Sequence, residues 1–250
     1  MTEADQATVQ VRRDGDVTVL TLHRPAKRNA LNTDLVVALE EAATAAAADG
    51  ARVLVLTGDG PVFCAGADLS GDVYAKGFPD RMVAMLRALE SLPVPIVAAV
   101  DGPAIGAGAQ IALAADLRVV GPTARVEVPV AKVAVSIDTW TVRRLAALIG
   151  DGPARSVLMG AESVPAEQLL ASGFGNRAGG VDEAIAWAHE LAALAPLTLK
   201  HLKMVFNHDG AGDEDAPEVR EALEAAWNSR DAREARTARA ERRAPRFEGR

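Results

Sequence analysis

The stretch Gly102-Pro103-Ala104-Ile105-Gly106-Ala107-Gly108-Ala109-Gln110-Ile111-Ala112-Leu113-Ala114-Ala115-Asp116 limits what this chain can fold into more than any other. It follows Pro95 to Val100, an unbroken apolar run bounded by prolines that reads as a buried strand. The small residues after Gly102-Pro103 permit a tight turn, and Gln110 to Asp116 then reads as a helix. Without side chains, Gly106 and Gly108 would let a group from outside approach the backbone closely. The first amides of the helix would be unpaired, at the positive end of its dipole. Such a turn can bind a phosphate, hold an oxyanion or let a helix pack tightly on a sheet.

The rest of the chain repeats this plan. Thr8 to Arg13 and Asp16 to Leu22 alternate around Asp14-Gly15, a hairpin signal. Asn32 or Thr33 can cap a helix over residues 34–49, followed by an apolar strand, Val53 to Thr57. A second small-residue turn comes next, Phe63-Cys64-Ala65-Gly66-Ala67-Asp68-Leu69. Residues 70–79, with Tyr74, read as a mobile segment over a site, and 80–92 as a helix with Met82, Met85, Leu86 and Leu89 on one face. Strands are expected at 117–120 and 126–129, and helices at 138–149, 152–159, 165–172, 182–195 and 197–207. Pro217 opens one last charged helix over 218–243, with Val219, Leu223 and Trp227 as its apolar positions. Strands alternating with helices imply an α/β fold with a mostly parallel sheet over residues 1–195 and a helical section over 196–250.

Composition narrows the function classes. A net charge of −7 argues against nucleic acid as the main partner. No apolar run approaches the roughly 20 residues of a spanning helix. The acidic start lacks the basic and apolar regions of a signal peptide, and the single Cys64 fits a reducing compartment, so a cytoplasmic protein is expected. Beside the first turn, Cys64 reads as packing, since it has no His or Cys partner in the sequence. The four histidines have no metal-ligand spacing.

Nucleotide motifs fail at both turns. Ile111 stands where a dinucleotide loop needs its third small residue, and no Gly-Lys-Ser or Gly-Lys-Thr follows. An oxyanion fits better, because two turns that each follow a strand can aim two N–H groups at one oxygen. Close helix–sheet packing remains the alternative at each turn taken alone.

Several spaced segments, in order, resemble the enoyl-CoA hydratase/isomerase (crotonase) family: Arg24-Pro25 with Arg28-Asn29-Ala30-Leu31, Phe63 to Leu69, Gly102 to Gly108 with Asp116, Gly152-Pro153-Ala154-Arg155, and Pro165-Ala166-Glu167 through Gly173. The resemblance implies a spiral of ββα units, a helical C-terminal trimerisation section, a trimer or dimer of trimers, and a bent CoA thioester as ligand with no other cofactor. It makes the Ala67 and Ala107 amides the oxyanion donors and sets Ala30, Ala65, Asp68 and Leu69 along the adenine and pantetheine. Lys27 and Arg28 would lie near the CoA phosphates, with Arg246 and Phe247 reaching them across a subunit boundary. For the arginines from 230 to 250, a solvated charged helix is the other reading.

The acid/base pair departs from the family. Where the resemblance implies two glutamates, this chain has Gln110 and Val130, neither of which exchanges a proton at neutral pH. Glu127 would face away from Val126, Val128 and Val130 on a strand. Asp138, before Trp140, occupies a position similar to the nucleophile of the chlorobenzoyl-CoA dehalogenase branch, whose other aromatic and histidine features are not evident here; a lone Asp at a helix start is more often an N-cap. Cys64 to Asp72, Phe78 to Arg81 and Ser136 to Trp140 resemble most the mycobacterial-type homologues in which both glutamates are replaced. That implies fatty acyl-CoA handling for lipid synthesis, with Trp140, Met82, Met85 and Ile137 along an acyl tunnel or in the core. Two other readings stay open: an active hydratase/isomerase using Asp138 or substrate-assisted water, and a scaffold for lipid-synthesis enzymes that binds no ligand.

Overall fold

A computed structural model describes residues 8–69, 77–133, 135–207 and 217–250. Strands β1 (Thr8–Asp14) and β2 (Val17–His23) form the expected hairpin, in which Asp14 pairs with Val17 across Gly15-Asp16. Helix α1 (Thr33–Ala48) is capped by Asn32, whose side chain accepts from Leu35 N–H at 3.0 Å. Then come β3 (Val53–Gly58), α2 (Phe78–Ser91), β4 (Ile96–Val100), β5 (Pro103–Ile105), α3 (Ala107–Ala114), β6 (Leu117–Val120) and β7 (Arg125–Glu127). The second half holds α4 (Thr139–Ile149), α5 (Asp151–Leu158), β8 (Ser163–Pro165), α6 (Ala166–Ser172), β9 (Arg177–Ala178) and α7 (Val181–Ala192). Helices α8 (Pro196–Asn207), α9 (Pro217–Asn228) and α10 (Arg230–Glu241) complete the chain.

The main sheet runs β1-β2-β3-β4-β6-β9, parallel except for the hairpin, and a small sheet runs β5-β7-β8. Period-2 alternation divides each central strand between two cores. Val53, Val55, Val97 and Ala99 pack on one face against Ala184 and Ala188 of α7. On the other face, Leu54, Leu56, Ile96 and Ala98 pack with Leu35 and Leu39 of α1 and Met85 and Leu89 of α2. Both faces are covered, which is why these strands read as continuous apolar runs.

Three expectations change. Helix α3 starts at Ala107 rather than Gln110 and ends before Asp116, and a short strand, β5, precedes it. The expected last helix is two helices, because Ser229 breaks it and its Oγ accepts from Ala232 N–H at 2.9 Å, starting α10. Phe78 and Pro79 open α2, while the rest of the expected mobile segment, residues 70–76 with Tyr74, lies outside the described residues.

Candidate functional site

The two small-residue turns lie side by side at the carboxyl ends of β3 and β4. Cys64 and Ala104 form a parallel bridge: Cys64 N–H donates to Pro103 O at 3.1 Å and Ile105 N–H to Cys64 O at 2.9 Å. Gly108 packs so closely on this bridge that a Cβ there would stand 2.3 Å from Cys64 O. The close approach that Gly108 permits is therefore internal. By contrast a Cβ on Gly106, at φ +54, would meet nothing within 4 Å.

A second parallel bridge, Leu31 to Ala67, aims the first turn. It uses Gly66 O, which accepts from Leu31 N–H at 2.8 Å, and Asp68 N–H, which donates to Leu31 O at 2.8 Å. In a parallel pairing the groups of the residue between them point the other way, so Ala67 N–H turns from Leu31 toward α3. Gly66 lies against the start of that helix, its ideal Cβ position 3.7 Å from Ala107 N. Neither the Ala67 nor the Ala107 N–H has a partner among the described residues. Two adjacent unpaired amides, one at a helix N-terminus, are suited to stabilising an oxygen that gains negative charge.

Beside them opens a cavity of about 540 Å³. Ala65, Gly66, Ala67, Leu69, Gly106 and Ala107 form one wall; Phe78, Met82, Val130 and Ile137 are among its apolar residues. Asp138 is the one titratable side chain among the described lining residues. It caps α4: Oδ1 accepts from Thr141 N–H at 2.9 Å, and Oδ2 accepts from Thr141 Oγ1 at 2.7 Å and from Gln110 Nε2 at 2.9 Å. Gln110 Nε2 also donates to Thr141 Oγ1 at 2.8 Å. Asp138 is thus an N-cap that also stands at the cavity.

Other expected site residues lie apart. Trp140 and Met85 are not among the cavity residues. Met85 is in the core, and Trp140 Nε1 donates to Glu90 Oε1 at 2.8 Å, with Arg87 over its ring at 5.9 Å. Burial raises the Glu90 carboxyl above its ordinary value, against the lowering effect of the Trp140 hydrogen bond and of Arg87. Asp68 is buried and paired with Arg24 at 2.7 Å; the same guanidinium donates to Ala30 O at 3.0 Å. Lys27 and Arg28 are exposed next to the first turn, where Arg28 O accepts from Ala65 N–H at 3.0 Å. Arg246 and Phe247 lie elsewhere: Phe247 O accepts from Arg52 Nη1 at 2.9 Å, at the opposite end of β3 from the cavity. Val130 begins a 3-10 turn (Val130–Val133) rather than extending a strand, and Glu127 pairs with Arg125 at 2.6 Å. Cys64 is fully buried, its thiol pushed up to about 12 by desolvation, so it is inert packing at neutral pH.

Sequence reading missed Thr141, and it named Arg24 and Asn29 only as parts of the family resemblance, without their contacts. The spacing of Asp138 to Thr141 is that of an N-cap and its third residue, which signals the first. Asn29 bonds Asp59 O at 2.9 Å and Val62 O at 2.8 Å from a buried position, a role no local pattern announces.

Residues 12–250 match the family described as Enoyl-CoA hydratase/isomerase. The chain is 48% identical over 233 residues to the Mycobacterium tuberculosis (strain CDC 1551 / Oshkosh) protein named "Probable enoyl-CoA hydratase echA6", covering 93% of this chain and 96% of that one. It is 31% identical over 250 residues to the 2,3-dehydroadipyl-CoA hydratase of Escherichia coli (strain K12), covering 96% and 98%. The crystal structure of an enoyl-CoA hydratase/carnithine racemase from Magnetospirillum magneticum superposes with a TM-score of 0.89 at 25% identity, covering 98% of this chain and 97% of that one. The ββα crotonase fold expected from the sequence is thus the fold observed.

Proposed function

We propose that this chain, which belongs to the enoyl-CoA hydratase/isomerase family, binds a fatty acyl-CoA and hydrates it little or not at all. The thioester oxygen accepts from the Ala67 and Ala107 amides. The CoA passes Ala65 and Leu69 toward Lys27 and Arg28, and the acyl chain enters the cavity past Met82 and Ile137. One observation carries this reading: the cavity has the two unpaired amides, while Val130 and Gln110 stand in its wall where an acid/base pair is needed. Val130 has no proton to exchange, and the Gln110 amide donates to Asp138 and Thr141.

In this reading the protein serves lipid metabolism alongside lipid-synthesis enzymes in the cytoplasm. It associates as a trimer or dimer of trimers through residues 196–250 and needs no cofactor beyond the CoA of its ligand. No helix among the described residues is long and apolar enough to cross a membrane.

Calorimetric titration with octanoyl-CoA beside a crotonoyl-CoA hydration assay tests the reading. Saturable heat is expected, with turnover at least about 100-fold below that of a two-glutamate hydratase. Turnover near such a hydratase, lowered by Gln110→Ala, overturns it, and absence of heat favours the scaffold. Asp138, as the titratable side chain in the wall, favours a second reading in which it moves the proton; Asp138→Asn then abolishes turnover and spares binding.

A further inference from the structure

Helix α3 carries the Ala107 amide at one end and is held by cations at the other. Its eight residues, about 12 Å of helix, include no charged side chain. Its last carbonyls have no helical N–H to accept from, and two arginines supply the donors. Arg118 Nη1 donates to Ala115 O at 2.7 Å and Ala112 O at 3.3 Å, and its Nε to Phe174 O at 2.6 Å. Arg144 Nε donates to Leu113 O at 3.2 Å. Neither arginine lines the cavity.

This end is also positively charged. Arg118 is buried, and burial and the neighbouring Arg144 charge pull its guanidinium down to about 10, with Asp116 opposing, so it is charged at neutral pH. Arg118, Arg144 and Lys203 face two acids there, Asp116 and Glu90. The carbonyl end of a helix is its negative end and opposes the build-up of negative charge at the N-terminal amides. Cations at that end cancel the opposition, and the hydrogen-bonded chain between is polarised toward the amides. Ala109, Ile111, Ala112 and Leu113 are fully buried, so little water screens the path. Helix α4 braces α3 at both ends as well, through Asp138 to Gln110 in the first turn and Arg144 to Leu113 O in the last.

We infer that Arg144, with Arg118 beside it, is a positioning residue for the oxyanion site: by holding and charging the carbonyl end of α3, it sets how strongly the Ala107 amide polarises a bound thioester oxygen. This rests on the acyl-CoA reading above and adds to it a residue outside the cavity.

Infrared difference spectra of octanoyl-CoA, isotopically labelled at its thioester carbonyl, test it beside calorimetry. On the unaltered protein the bound carbonyl band is expected below its position in free octanoyl-CoA. Arg144→Met should return part of that downshift and weaken binding about three- to tenfold. Arg144→Lys, which keeps the charge, should retain more of both. Arg52 is a similar anchor, donating to Leu194 O and Phe247 O without touching α3; Arg52→Met should lower the melting temperature and leave the band in place. A full downshift in Arg144→Met overturns the inference, as does an equal loss in Arg52→Met or in Arg144→Lys. Should Arg144→Met not fold, Arg144→Gln, a donor without the charge, is read in the same way. If octanoyl-CoA does not bind, or binds without a downshift, the acyl-CoA reading falls, and the inference with it.

Discussion

At the scale of single residues, the replacement at position 110 cannot be treated as an isolated loss of an acid. Asp138 Oδ2 lies 2.9 Å from Gln110 Nε2, so restoring a glutamate would set two carboxylates against each other. Like charges this close do not both ionise, and one acid holds its proton above its ordinary range. An acid whose folded pKa is raised stabilises the fold fully below its unfolded pKa, and that stability is lost as pH rises through the folded value. Gln110→Glu should therefore be near neutral in stability at pH 4 and cost about 1–3 kcal/mol at pH 8. It should not restore crotonoyl-CoA hydration. Adding Asp138→Asn returns a donor to the pair and should recover most of the loss at pH 8. Urea denaturation of the three proteins at both pH values checks this; a single variant as stable at pH 8 as at pH 4 would mean that the two side chains separate instead of competing.

At the scale of elements, the site depends on how α3 seats against the first turn. The missing side chain of Gly108 is filled by Cys64 backbone, 2.3 Å from an ideal Cβ. Since main chain on both sides must move, Gly108→Ala should cost about 1–3 kcal/mol and weaken octanoyl-CoA binding by displacing the Ala107 amide. Gly152→Ala in α5, where a Cβ meets nothing within 4 Å beyond its chain neighbours, should change stability by less than about 1 kcal/mol, because the gain in helix propensity is offset by the restriction that Pro153 puts on the residue before it. Thermal melts with parallel titrations separate the two, and a Gly108→Ala protein with unchanged melting and affinity contradicts the packing described. The same elements show what a sequence reveals. The central strands were legible because both faces are apolar and prolines or glycines bound them. The start of α3 was not, because Ala107-Gly108-Ala109 carries no side-chain period and its helical state comes from packing on Cys64. The α9–α10 break was hidden because continuous charge masks a local cap at Ser229. The two small-residue turns could be read from spacing and resemblance. The Gln110–Asp138–Thr141 contacts could not, since α3 and α4 meet only in three dimensions.

At the scale of the whole molecule, the helical section is tied to the sheet by polar anchors. Lys203 of α8 is buried and donates to Leu89 O at 3.0 Å, Val94 O at 3.1 Å and Asp116 Oδ2 at 2.9 Å. Arg144 reaches Phe206 O and Asn207 Oδ1, and Arg52 reaches Leu194 O and Phe247 O. Helix α8 thus buries a lysine while Leu202, Val205 and Phe206 face outward, Phe206 at 75% exposure; on α9, Trp227 is 73% exposed. A helix of this kind turns apolar side chains outward, away from the described core. Self-association through residues 196–250 would cover them with a second copy. Burying a phenylalanine is worth about 1.5–3 kcal/mol, so Phe206→Ser should weaken assembly by roughly 10- to 100-fold per contact, with Trp227→Ser adding to it. The chain itself should stay folded, because neither side chain belongs to the core. Sedimentation velocity over a concentration series reads the outcome: smaller species at micromolar protein with unchanged circular dichroism are expected. An unaltered assembly in the double variant would move the interface off this face and leave α8 held by Lys203 and the Arg144 contacts.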